Sequence, residues 1–153
     1  MTFMPIPEFT EYGLLPQGVH DCTPDEAEQL FCSNEHRSAI WSGLKEFLAW
    51  AATLPTPSAI LLDGSYVTDK PMPEDVDVVV DISSCSIADQ QIWVDGWAEQ
   101  RQGMKDIHKV DFYPFAAGIG NDFSAFFQYV RVDDALRRGV SPHVRKGILK
   151  VVE

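Results

Sequence analysis

Long apolar runs are missing from this 153-residue sequence; none approaches the ~18 residues that a membrane-spanning helix requires. The first residues, Met1 to Glu8, show no basic stretch followed by an apolar one, so no secretory signal is expected. Cysteine is scarce. Cys22, Cys32 and Cys85 are odd in number, far apart and without a C-x-x-C pair, which excludes a disulfide framework and a zinc site. Buried thiols in a reducing cytoplasm are the expectation. Basic residues are also few: 12 Lys and Arg stand against 23 Asp and Glu, for a formal net charge of −11. Such a field repels nucleic acid, so any contact with it needs a local patch. Arg131, Arg137, Arg138, Arg145, Lys146 and Lys150 form the one candidate, readable as a solvated helix face and strand edge or as a phosphate-facing rim. Repeats, low-complexity segments and linkers are absent, which leaves a single domain.

What is present is the material of a packed core. Apolar residues make up 45% of the chain, with nine Phe, four Trp and four Tyr, a composition that excludes intrinsic disorder. Residues 1–20 carry Pro5, Pro7, Gly13, Pro16 and Gly18 and read as an extended N-terminal arm; residues 21–153 read as the domain proper. Thr23-Pro24-Asp25-Glu26 is a helix start with a capping box, and that helix should end near Cys32. Ser33 or Asn34 should cap a longer helix, in which Ile40, Trp41, Leu44, Phe47, Leu48 and Ala51 recur at three- and four-residue steps until Pro55 and Pro57 end it.

Strands are expected at 59–62, at 76–82 (the most β-branched stretch), at 108–113 and at 147–152. A helix is expected over 87–102, and another from Asn121-Asp122 carrying Phe123, Phe126, Phe127 and Val130. Helices and short strands alternate irregularly, which predicts an α+β fold: a small mixed β-sheet flanked by helices.

The chemistry concentrates where two strands meet their loops. Leu61-Leu62-Asp63 runs into Gly64-Ser65, and after the loop Tyr66–Glu74 comes Asp75-Val76-Asp77, opening the Val-rich strand. Alternation along a strand puts Asp75 and Asp77 on one side, about 6.5–7 Å apart, and turns Val76, Val78 and Val80 to the other. Two aligned carboxylates in a partly dry site need a cation between them. Oxygen ligands of this kind suit Mg²⁺ or Mn²⁺, which also bind waters and substrate phosphates. Gly64 allows close backbone approach, and its N–H with the Ser65 hydroxyl suits phosphate oxygens. Asp111 alternates against Val110 and Phe112 and supplies a third carboxylate.

Gly64-Ser65, Asp75-x-Asp77 and Asp111, in that order, resemble the polymerase-beta-like nucleotidyltransferase superfamily over about residues 59–113. Leu15-Pro16-Gln17-Gly18-Val19-His20 and Asp63–Lys70 are similar to small bacterial and phage members. The resemblance implies a mixed sheet with helices packed on it and an enzyme that moves a nucleoside monophosphate from an NTP onto a hydroxyl, releasing pyrophosphate. It implies that Asp75 and Asp77 hold two Mg²⁺ (or Mn²⁺) ions, that Asp111 binds one of them and helps deprotonate the acceptor, and that Ser65 and the Gly64 backbone hold the outer phosphates. Thr68 and Lys70, in the intervening loop, are within reach of phosphate.

Many members carry an accessory domain for the acceptor, and this sequence has little beyond the catalytic core. The acceptor stays open between a protein, a small molecule and an RNA end, and a partner subunit or self-dimer is compatible with the small size. The alternative is a non-catalytic nucleotide- or partner-binding protein on the same fold, for example a toxin–antitoxin or phage-defence component.

Overall fold

The computed structural model describes residues 6–116, 132–141 and 146–152. Within them five strands form one mixed sheet: β1 (Gly18–Cys22), β2 (Ala59–Asp63), β3 (Val76–Asp81), β4 (Val110–Phe115) and β5 (Gly147–Val151). Their spatial order is β1-β5-β2-β3-β4, with β1–β5 and β3–β4 parallel and the two central pairings antiparallel. The described helices are α1 (Pro24–Phe31), α2 (Glu35–Ala51), α3 (Ile87–His108) and α4 (Val132–Arg138). The fold is α+β, as the sequence predicts. No described helix is long and apolar enough to cross a membrane.

Local chemistry accounts for the helix starts. Thr23 accepts from the Glu26 amide while the Glu26 carboxylate accepts from the Thr23 amide, and Pro24 occupies the first turn. Asn34 caps α2 by accepting from the Arg37 amide at 2.7 Å.

The strand alternation divides the sheet into two faces. Leu62, Val78, Val80, Phe112 and Leu149 join the main core with Leu44 and Phe47 of α2 and Trp93 of α3. The Phe47 and Phe112 rings meet tilted, 4.8 Å apart, and Trp50 bridges Phe112 and Trp93. Residues of opposite parity, Leu61, Val79 and Ile148 with Tyr113 and Phe115, form a separate cluster on the second face. Helices α2 and α3 approach so closely that a Cβ on Gly43 would lie 2.0 Å from the His108 carbonyl oxygen.

The structure corrects three boundaries. Residues 18–20, expected within the arm, open β1, because Gly18 turns the chain at φ +130° and the segment then pairs in parallel register with β5. The arm itself is anchored by Leu14 and Leu15, both fully buried. Helix α3 continues past Gln102 to His108, and Lys109 ends it in the left-handed conformation, so β4 begins at Val110 rather than His108. The helix expected from Asn121 lies outside the described residues.

Candidate metal and phosphate site

The β-sheet register builds the site. Asp63 is the Cα partner of Asp77, and Asp77 is the partner of Asp111, so three carboxylates stand in a lateral row across β2, β3 and β4. Asp75 lies two residues before Asp77 and shares its side of the strand. The row has the parity of Leu61, Val79 and Tyr113 and therefore occupies the second face, away from α2 and α3. Oxygens of Asp75, Asp77 and Asp111 all lie within 4.8 Å of one another, and each residue is half-buried.

Electrostatic strain concentrates on Asp77. Burial, then the charges of Asp75, Asp63 and Asp111, push its carboxyl up to about 7 from the ordinary 3.8, with Lys146 acting in the opposite direction. Tyr113 feels the same cluster: burial and the four carboxylates, Asp77 foremost, raise its phenol. Two lysines flank the row. Lys105 Nζ stands 3.7 Å from Asp111 Oδ2 at the surface. Lys146 Nζ is buried, donating to Asp63 Oδ1 at 2.5 Å and to the Gly64 carbonyl at 3.3 Å.

Gly64 is positioned against this cluster. Its φ of +81° strains any side-chain-bearing residue, and a Cβ there would lie 2.6 Å from Asp77 Oδ2. Position 64 therefore requires glycine twice over, and the backbone passes directly over the central carboxylate. Ser65 follows, half-buried, as the first residue of a 3-10 turn, Ser65–Val67.

The loop from this turn to Asp75 is fastened to α1 and α2. The buried Arg37 guanidinium makes five hydrogen bonds to the carbonyls of Phe31, Tyr66, Thr68 and Lys70. It also lies 4.9 Å over the Tyr66 ring. The Asn34 amide donates to the Pro71 carbonyl at 2.8 Å, and His36 Nε2 donates to the Pro73 carbonyl at 2.5 Å. The spacing between the Gly-Ser turn and Asp75 is thus set by three residues of one helix start.

A family of unknown function, DUF6932, matches residues 7–152. The chain belongs to this family. No curated protein and no solved structure matches it.

Of the residues expected to form the site in this DUF6932 chain, the structure brings Gly64, Asp75, Asp77 and Asp111 together, with Ser65 next to Gly64. Thr68 is buried and its hydroxyl is committed within the loop: it donates to the Ser65 carbonyl at 2.6 Å and accepts from the Lys70 amide and from Arg138. Lys70 contributes its carbonyl to Arg37. Nor do Arg137, Arg138 and Lys146 form one rim. Arg138 pairs with Asp69 and Asp134 and donates to the Tyr12 carbonyl, Arg137 pairs with Asp134, and Lys146 is buried against Asp63. Arg131 and Arg145 lie outside the described residues.

Sequence reasoning named Asp63 and Lys146 without joining them to the carboxylate row, and it passed over Arg37. Asp63 carried a signal, as a lone acidic residue ending an apolar strand beside Gly64. The pairing of Lys146 with Asp63 and the loop contacts of Arg37 act across the fold and left none.

Proposed function

We propose that this protein is a divalent-cation-dependent nucleotidyltransferase that moves a nucleoside monophosphate from an NTP to a hydroxyl acceptor and releases pyrophosphate. The observation that carries the reading is the convergence of Asp75, Asp77 and Asp111 oxygens within 4.8 Å, under a glycine whose Cβ would strike Asp77. The donor set fits a hard cation: all ligands are carboxylate oxygens, and Asp77 is held in its protonated form up to about 7 by burial and, after it, by like charges that a cation would neutralise.

Asp75, Asp77 and Asp111 would hold Mg²⁺ or Mn²⁺, which supplies charge neutralisation at the triphosphate and at the attacking oxygen. The Gly64 N–H and the Ser65 hydroxyl would bind phosphate oxygens, and the fastened loop keeps that turn fixed so that little ordering remains for substrate binding. Asp111, at the open edge beside Lys105, would take the proton of the acceptor hydroxyl as its oxygen bonds to the α-phosphorus and the bond to pyrophosphate breaks. A cytoplasmic setting belongs to this reading, because Cys22, Cys32 and Cys85 are all free thiols.

The test is a screen of the four α-³²P-labelled NTPs with Mg²⁺ or Mn²⁺ and a cell lysate as acceptor source. Label transfer with pyrophosphate release, lost in Asp77→Ala, is the expected result. A folded protein that binds no metal–NTP and labels nothing overturns the proposal; metal–NTP binding without transfer points to the nucleotide-binding alternative.

A further inference from the structure

Asp77 has two lateral neighbours in the carboxylate row, and the fold treats them differently. Both are its Cα partners, Asp63 across an antiparallel pairing and Asp111 across a parallel one. Asp111 belongs to the convergent trio, its side chain is 37% exposed, and its cationic neighbour Lys105 is 52% exposed at 3.7 Å. Asp63 lies outside the trio, and both it and Lys146 are 8% exposed in a 2.5 Å pair. A cation arriving at the trio can displace a surface lysine at little cost. It cannot displace Lys146 in the same way, because both partners are buried and the ammonium also holds the Gly64 carbonyl.

We propose that Lys146 is a positioning residue that sets the carboxylate count of the cation site. By sequestering Asp63 it presents three carboxylates rather than four, and through the Gly64 carbonyl it holds the phosphate turn over Asp77. The inference rests on the reading of the trio as a cation site and adds a selectivity to it. Ca²⁺ takes six to eight oxygen ligands, whereas Mg²⁺ keeps several waters and accepts one or two carboxylates plus phosphates. A fourth carboxylate in the row would favour Ca²⁺ and occupy positions that phosphate oxygens need.

Calorimetric titration of Ca²⁺ and Mn²⁺ into the full chain, with and without a non-hydrolysable NTP, tests this in four proteins. Lys146→Met should bind Ca²⁺ about tenfold more tightly than wild type, since a nearby positive charge is lost and a carboxylate gained, while its affinity for Mn²⁺–NTP falls. A merely structural role would weaken every ligand. The double variant Asp63→Asn/Lys146→Met removes both charges and should return Ca²⁺ affinity to within about threefold of wild type. Lys146→Arg should keep the wild-type order of affinities. Should Lys146→Met fail to fold, Asp63→Asn replaces it: the released ammonium should weaken Ca²⁺ about tenfold, and the double variant should restore it. Unchanged Ca²⁺ affinity in the folded single variants overturns the role of Lys146 alone. A wild type that binds neither cation overturns the cation-site reading, and this inference with it.

Discussion

Arg37 and Asp77 are both ionisable groups held inside the fold, and they live in opposite surroundings. Arg37 has a carbonyl oxygen for every direction its guanidinium can donate, five hydrogen bonds to four residues. Asp77 has Asp63, Asp75 and Asp111 around it, and its carboxyl is pushed up to about 7. Burial alone does not distinguish them, since desolvation is the leading influence on both, lowering Arg37 and raising Asp77. Partners do. A buried charge whose hydrogen-bonding capacity is filled behaves as architecture, whereas one surrounded by like charge stores free energy that a ligand can release.

The largest effect of a substitution is expected at Arg37. Arg37→Met leaves three buried carbonyls and the part-buried Lys70 carbonyl without this donor and should cost about 3–5 kcal/mol, read as a lowered denaturation midpoint in urea. If it costs less than about 1 kcal/mol, the loop does not depend on the guanidinium. Gly64→Ala is next. It combines a φ of +81° with a Cβ 2.6 Å from Asp77 Oδ2. A cost of about 1–3 kcal/mol is expected, with Mn²⁺ affinity reduced in titrations of the protein that remains folded.

At the other end of the comparison the sign reverses. Asp77→Asn removes the crowded charge and should stabilise the metal-free protein by about 1–2 kcal/mol at pH 8 while abolishing nucleotide transfer. Destabilisation would show that the carboxylate serves the fold. The pH dependence supplies the most diagnostic effect. The folded protein retains the Asp77 proton up to about 7, whereas the unfolded chain releases it near 3.8. The unfolded state thus binds fewer protons between these values, so this group makes stability fall as pH rises from about 4 to about 7 and leaves it low above. In thermal scans Asp77→Asn should flatten that slope, and millimolar Mn²⁺ at pH 8 should raise the melting temperature of wild type but not of the variant.

How much of this was legible in the sequence follows the range of the interactions. Thr23 with Glu26, Asn34 before Arg37, and the Val-rich run of β3 are local signals, and they placed two helix starts and strand β3 correctly. Gly64 was singled out for close backbone approach, but its contact with Asp77 depends on the pairing of β2 with β3. The α3 end was expected at Gln102, but the helix continues to His108, where Lys109 terminates it in the left-handed conformation. Asp63, Lys146 and Arg37 were not assigned to the site for one reason. Each acquires its role from residues far away in the chain, Lys146 from Asp63 at a separation of 83 residues.

The order of the strands adds a temporal constraint. The last strand in the chain, β5, lies between β1 and β2, so the sheet is split until that segment arrives. Until then β1 has no described partner, Asp63 has no ammonium, and the Gly64 turn lacks one of its ties. Loop-closure entropy of this size delays such pairings. The helices with β2, β3 and β4 can condense earlier, bringing Asp75, Asp77 and Asp111 together while Asp63 is still an uncommitted fourth carboxylate. The buried ammonium beside Asp63 is thus the last part of the carboxylate row's surroundings to be synthesised.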